Sequence, residues 1–362
     1  MKVALVGSRN FPARHGGLEV VVENVADGLA AREMKVHVFV GELGEDAGNG
    51  NRFQVHETRT VKGKYWHTAS QILSGLVEIR RLKPDIVNIH GVGPAFPLAL
   101  SKRAFGDAPT LVTAHGLDWE RRKWPAPARW IFRKIAVRSL KNASSVSCVS
   151  ESVGTELGRM LGCEVQFTPN GFSFHDSSAD IDIELPDKYS VVMSRLTPEK
   201  NIETIINAYS KEIANTLGPL VVVGGGGGSY SGEYEDQLRR LATGKEIVFV
   251  GHQERPSALS ILKGASLYLS LSKLEAQPMA VLEAMSLGVP LLLSDIEPHQ
   301  ELCGESARYV SADDQAGLRR ALLSPDNEAS KRRAVLAQER VAGMTWERSI
   351  DLYESWYQSH PS

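Results

Sequence analysis

The chain has 362 residues, 42% of them hydrophobic and 23% charged, with a formal net charge of −2 at pH 7. That length exceeds what one hydrophobic core supports, so two domains are expected, and the composition excludes disordered, fibrous and membrane-spanning classes. The three cysteines, Cys148, Cys163 and Cys303, are odd in number and widely spaced, which excludes a disulfide framework and a cysteine metal site.

The amino-terminal residues lack the long apolar core of a signal peptide, so a cytoplasmic location is expected. From the start, Lys2 to Gly7 reads as a buried strand ending in glycine, 19–32 as an amphipathic helix and 35–40 as the next strand. Further strands are expected at 85–90, 110–114 and 144–149. The rhythm restarts after Asn170 with strands at 189–193, 220–223, 246–250, 267–271 and 290–294, and a helix beginning near Asn201. Between the two series, Ser173 to Lys188 is polar and Asp- and Ser-rich, as a connection between domains would be.

Short β-branched runs alternating with helical patterns predict α/β architecture. Two Rossmann-like, doubly wound domains are expected, at residues 1–170 and 171–345, facing each other across a cleft. Ligands of such sheets sit at the carboxyl ends of the strands. Charge is divided unevenly: residues 1–170 carry 23 Lys and Arg against 16 Asp and Glu, a balance of +7, and the remainder carries −9. A basic first half suits an anionic partner. Between Arg121 and Lys141 there are eight basic and no acidic residues, interleaved with Trp124, Trp130 and Phe132. Such a helix fits an anionic membrane surface or a solvated basic face equally well.

The sharpest motif runs from Leu274 to Pro290. A strand ends near Ser272 and a loop carries Glu275. Pro278 suits a helix start, and Gly288 suits its end. The amides near Met279 and Ala280 then point from a helix N-terminus, which attracts phosphate. Glu283, one turn in, is placed to accept hydrogen bonds from a ribose, and Glu275 from sugar hydroxyls. Upstream, Ser194-Arg195-Leu196-Thr197-Pro198-Glu199-Lys200 places a guanidinium and an ammonium beside a strand end, well suited to a diphosphate. Gly16-Gly17 opens the first helix and permits close backbone approach. It lacks the GxGxxG fingerprint, which argues against a nicotinamide dehydrogenase. His115-Gly116 follows a strand directly, with Asp118 and Trp119 close behind on the acceptor side. His90-Gly91 also follows a strand and is open between lining the cleft and packing.

Glu275 to Glu283 is similar to the E-x7-E signature of retaining GT-B glycosyltransferases of family GT4. The other landmarks fall in the same order, so the resemblance covers nearly the whole chain. It implies that Glu275 contacts the donor sugar, Glu283 the ribose, and Pro278, Met279 and Ala280 the diphosphate, with Arg195 and Lys200 as the R-x4-K clamp. Gly16 and Gly17 are then placed near the transferred sugar and phosphate, His115 on the sugar's 6-hydroxyl, and Gly251-His252 at the nucleobase. Gly224 to Gly228 becomes a flexible connection, and 346–362 a terminal helix crossing back to the first domain. Where the family has Gly and a bulky apolar residue, this chain has Ala276-Gln277, a departure that leaves the donor-sugar preference open, with Gln277 expected to be able to offer the sugar a side-chain hydrogen bond.

The expected function is retaining transfer of a hexose-type unit from a UDP- or GDP-type sugar to a saccharide or lipid-linked acceptor in cell-surface polysaccharide assembly. The segment around His115 is similar to rhamnosyltransferase-like members. No cofactor, metal or nucleic acid is expected. His115, Glu275, Arg195 and Lys200 form the expected catalytic set. Asp180-Ile181-Asp182 has the look of a metal-binding DxD but falls in the connecting segment. The rivals are an epimerase or hydrolase on the same scaffold, which needs no acceptor, and a non-catalytic sugar-nucleotide binder, which leaves the donor unchanged.

Overall fold

The structure, a computed structural model, describes residues 1–13, 16–44, 51–61, 67–120, 125–172, 183–225 and 232–360. It divides into two compact units, Met1–Gly171 with Met344–Ser362, and Phe172–Gly343. Asp180-Ile181-Asp182, Arg14, His15 and Arg121 to Trp124 lie outside the described residues.

Unit 1 is built on a seven-stranded sheet in the order β3-β2-β1-β4-β5-β6-β7. The strands are β1 (Lys2–Phe11), β2 (Lys35–Leu43), β3 (Gln54–Glu57), β4 (Ile86–His90), β5 (Thr110–Ala114), β6 (Ser145–Cys148) and β7 (Gln166–Phe167). Helices α1 (Gly17–Ala31), α2 (His67–Leu82), α3 (Ala126–Asn142) and α4 (Glu151–Leu161) connect them. Every residue of β4 and β5 is buried, which is why neither shows the alternation of a half-exposed strand. The first strand does not stop at Gly7. Its pairing with β2 shifts register between Val6 and Ser8, then resumes to Phe11. Gly7 makes the bulge possible. Its φ is 119°, and a Cβ there would lie 2.1 Å from the His90 carbonyl oxygen, so only glycine fits.

Unit 2 holds a six-stranded sheet in the order β10-β9-β8-β11-β12-β13. Its strands are β8 (Ser190–Met193), β9 (Leu220–Val223), β10 (Ile247–Gly251), β11 (Leu267–Ser270), β12 (Leu291–Ser294) and β13 (Arg308–Val310). Its helices are α5 (Ile202–Ala208), α6 (Lys211–Leu217), α7 (Glu233–Leu241), α8 (Arg255–Lys263), α9 (Met279–Ser286), α10 (Glu297–Cys303), α11 (Gln315–Leu323) and α12 (Asn327–Val341). Val222, Leu269 and Leu292 from the central strands pack with Ile205, Ile206 and Leu318 from the covering helices. Ser210 and Asp314 cap α6 and α11, which sets where those helices begin.

The last helix, α13 (Trp346–Gln358), belongs to unit 1. Thr345 caps it by accepting from the Arg348 amide, and Ser349 donates to the Pro169 carbonyl at 2.6 Å. Ile350 lies over α1 at Gly28, where any Cβ would come within 2.5 Å of it. Tyr353 and Tyr357 are fully buried, and the Asn88 side-chain amide donates to Tyr357 Oη at 2.7 Å. The terminal aromatics therefore pack. Both sheets are parallel throughout, and their crossovers reverse between β1 and β4 in unit 1 and between β8 and β11 in unit 2. Those are the positions where open sheets of this kind bind ligands. Among the described residues no helix is long and apolar enough to cross a membrane.

Candidate active site

In unit 2 both charged motifs leave the two strands of the switch point. The loop after β8 passes through Arg195, which is partly exposed, and the turn Pro198–Lys200. It ends at Asn201, whose φ of 55° is left-handed, a conformation Asn tolerates better than most residues. The Asn201 side chain pins it there, donating from Nδ2 to the Ala312 carbonyl and accepting from Thr204 Oγ1, both at 2.8 Å. The loop after β11 is stitched to it, since the Lys273 amide donates to the Glu199 carbonyl at 2.8 Å.

These constraints bring Lys200 and Glu275 together, with Nζ 2.5 Å from Oε1 and both side chains largely buried. Burial alone raises the Glu275 pKa, but the Lys200 ammonium and hydrogen bonds from Lys200 and Ser272 outweigh it. The carboxyl is held below its usual range and is ionised at neutral pH. Three residues on, Pro278 stands at the N-cap of α9 and no side chain caps the helix. The Met279 and Ala280 amides thus remain at the helix start for a ligand.

Glu283 is reached differently from expectation. It is 7% exposed and its Oε1 lies 2.8 Å from Arg255 Nη2, at the beginning of α8. Arg255 was not singled out from sequence, although it stands just past the Gly251-His252-Gln253 loop. Gly251 turns that loop with φ 71°, His252 is exposed, and Gln253 Nε2 donates to the Val250 carbonyl at 2.7 Å. Gln277 is partly exposed beside the buried Ala276.

Tyr268 and His299 are two further residues that sequence reasoning missed. Tyr268 is 2% exposed, and burial, followed by the charges of Glu275 and Glu283, pushes its phenol pKa up. One buried hydroxyl therefore lies near both glutamates. His299 is fully buried and its Nδ1 is 3.0 Å from the Ser294 carbonyl, which only accepts, so Nδ1 carries the proton. Burial lowers its pKa despite the attraction of Glu275, and the ring is neutral. Lys200 and Arg255 thus pair with the two carboxylates beside a positive helix end, and Arg195 lies on the same loop as Lys200.

Unit 1 brings His115 to the end of β5 and His90 to the end of β4, with His90 Nδ1 3.1 Å from His115 Nε2 and the rings stacked. His90 packs rather than lines an opening, at 0% exposure. Burial lowers the His115 pKa to about 4 despite the nearby Asp118. Asp118 is partly exposed, whereas Trp119 is 5% exposed and enclosed, so its indole does not face an acceptor. Gly16 precedes α1 with φ 97°, but a Cβ there would lie 2.6 Å from Glu19 Oε2. A buried carboxylate thus sits where phosphate was expected. The Gly16-Gly17 turn suits sugar hydroxyls better than a second anion. Gly224 has φ 131° and its Cβ position is 1.9 Å from the Ser194 carbonyl, which makes it an obligatory glycine, while 226–228 lie outside the described residues.

Residues 15–174 match the Glycosyltransferase Family 4 model, and residues 174–329 match the Glycosyl transferases group 1 model. A relative from Bacillus subtilis, TuaC, named for teichuronic acid biosynthesis, is 24% identical over 66% of this chain; the match spans 59% of that relative's length. Among solved structures, sucrose-phosphate synthase from Thermosynechococcus elongatus superposes with a TM-score of 0.82 at 18% identity, covering 99% of this chain and 98% of that one. HepE of Anabaena, in complex with UDP and glucose, superposes with a TM-score of 0.73 at 15% identity, covering 99% and 100%. With two Rossmann-like units and both family models matched in sequence order, the chain belongs to the family 4, group 1 glycosyltransferases of the GT-B fold.

Proposed function

We propose that this protein is a retaining glycosyltransferase that moves a hexose-type unit from a nucleoside diphosphate sugar of the UDP or GDP type to a saccharide or lipid-linked acceptor in cell-surface polysaccharide assembly. The observation that carries this is the Lys200–Glu275 contact beside the uncapped start of α9, at the switch point of unit 2. The complex of HepE with UDP and glucose supports the donor class. The name of TuaC supports the polysaccharide setting.

In this reading Arg195, Lys200 and the Met279 and Ala280 amides neutralise the diphosphate, so its departure needs no metal ion from elsewhere. Gln277 and Pro278 complete the wall of that pocket, and Gly251 and His252 meet the base. Glu283 accepts from the ribose hydroxyls, with Arg255 fixing the carboxylate; a carboxylate has roughly four acceptor sites, so one ion pair does not exhaust it. Glu275 accepts from the sugar; in unit 1, taken by itself, the resemblance gives sugar-contacting roles to His115, Gly16 and Gly17 and an acceptor role to Asp118. The bond from the anomeric carbon to the phosphate oxygen breaks, the acceptor oxygen bonds to the same face, and its proton passes to the leaving phosphate.

A second reading concerns location. On α3, Trp130 and Ile131 are 58% and 53% exposed, and Ile135 is also exposed. Arg133, Lys134, Arg138 and Lys141 share the helix, with Lys134 Nζ 3.7 Å over the Trp130 ring. Apolar groups amid cations suit peripheral binding to an anionic membrane, where a lipid-linked acceptor resides.

The test is a thermal-shift panel of UDP, GDP and their sugars, followed by product analysis with and without acceptors. Stabilisation by one nucleotide family and acceptor-dependent release of that nucleotide are expected. Epimerised donor without acceptor, or an unchanged donor with every acceptor, would replace this reading with one of its rivals.

A further inference from the structure

The two histidines of unit 1 share one hydrogen. His90 Nδ1 and His115 Nε2 are 3.1 Å apart, so one of them donates. Burial lowers both pKa values, so both rings are neutral at pH 7. A neutral imidazole has one N–H, which leaves two arrangements.

In the first, His115 donates from Nε2, and the proton of His90 is forced onto its own Nε2. That atom is buried, has no hydrogen-bond partner among the described residues, and belongs to a side chain with 0% exposure. In the second, His90 donates from Nδ1 and its Nε2 carries only a lone pair. Orphaned buried N–H groups are rarer in native proteins than under-satisfied acceptors, which selects the second arrangement. His115 then accepts at Nε2, and its own proton resides on Nδ1. No hydrogen bond from Nδ1 to a described residue accompanies the His90 contact, and the ring is partly exposed.

The geometry around His90 is over-determined, as a positioning device requires. The bulge at Gly7 brings β1 against the His90 carbonyl, where no side chain fits. Gly91 follows with φ 94° and its amide donates to the Thr113 carbonyl at 2.8 Å. Tyr353 of α13 lies against the other side, with ring centroids 6.0 Å apart. These contacts fix the His90 backbone, and Tyr353 packs against its buried ring.

We propose that His90 is a positioning residue that holds His115 in the tautomer protonated at Nδ1, so that His115 meets its ligand as a hydrogen-bond donor. The ligand's being an oxygen of a nucleotide sugar rests on the function proposed above; the tautomer does not. Free neutral imidazole side chains prefer the proton on Nε2, so the inverted state is a measurable signature of the contact.

The experiment is long-range 1H–15N correlation NMR of the unliganded full-length protein at pH 7, with 15N-labelled histidine and the His115 signals assigned through His115→Gln. The expected result is His115 protonated at Nδ1 and His90 also at Nδ1. In His90→Phe, which keeps a ring but removes the donor, the Nδ1–H to Nε2–H ratio of His115 should fall at least tenfold, and His90→Asn, which retains an N–H near the same position, should restore part of it. His115 protonated at Nε2 in the wild-type protein overturns the proposal, whatever the variants do. Transfer assays then separate this from the function itself: an active enzyme with the wrong tautomer sinks only the proposal, and an inactive one with the right tautomer sinks only the function.

Discussion

Arg255 Nη2 stands 2.8 Å from Glu283 Oε1, with the glutamate side chain 9% exposed and the arginine 32%. The pair links the start of α8 to the middle of α9, and it orients the carboxylate proposed to bind ribose. Removing Arg255 takes the counter-charge from a carboxylate that stays buried. Arg255→Ala should therefore weaken UDP or GDP binding by about tenfold, or about 1.4 kcal/mol. Glu283→Ala should do at least as much. Because both act on one contact, the double variant should lose less than the two singles together, by calorimetric titration. Strict additivity would separate Arg255 from the nucleotide.

The Lys200–Glu275 pair has a pH signature. Glu275 is held below the usual carboxylate range, so its contribution to stability is fully present above the unfolded value of 4.5 and is lost as pH falls through the lower folded value. Lys200→Met removes the main attraction, leaving burial to raise the same pKa. The variant should be less stable than wild type at pH 7 in urea titrations, with the gap closing below about pH 4. Adding Glu275→Gln should recover much of the loss. A gap that stays constant with pH would show that the pair carries no electrostatic stability.

What the sequence makes legible is mostly what repeats locally. Continuous apolar rows such as Leu220 to Val223 mark parallel strands, and Pro278 with Gly288 brackets α9. The two motifs could be read because chain order places them after β8 and β11. The Arg255–Glu283 and His90–His115 contacts could not, since each joins segments whose proximity is set by strand order and register rather than by spacing along the chain. The bulge at Gly7 was missed for the same reason: the atom that requires it belongs to His90, in another strand. Trp119 shows the converse limit, because an aromatic after an exposed turn reads as available until packing encloses it.

The exposed face of α3 gives a prediction independent of catalysis. Trp130→Ser with Ile131→Ser removes apolar groups that are already more than half exposed, so folding should be unaffected. Sedimentation with phosphatidylglycerol vesicles should fall at least tenfold, and wild-type binding should weaken as salt rises, because Arg133, Lys134, Arg138 and Lys141 supply its long-range part. Equal sedimentation of the variant and the wild type would leave the face without a membrane role.

Acid sensitivity above the carboxylate range should come from histidines whose pKa burial lowers. Burial lowers the pKa of His37, His90, His115 and His299, with His115 brought to about 4 from 6.5. A group with a depressed basic pKa binds more protons when unfolded, so its stabilising contribution is intact above the unfolded value of 6.5 and is lost as pH falls toward the folded value. Each such histidine steepens the loss by up to about 1.4 kcal/mol per pH unit. The contribution of Glu275 changes only below about pH 4.5, so between pH 6.5 and 5 the histidines act without it and are opposed by Glu120, whose pKa burial raises. Urea titrations across it should show stability falling with pH, and His299→Gln should flatten the slope while retaining an amide in place of the ring. A wild-type protein equally stable at pH 7 and pH 5, with the slope unchanged in His299→Gln, would mean that His299 is charged in the folded state, contrary to its burial.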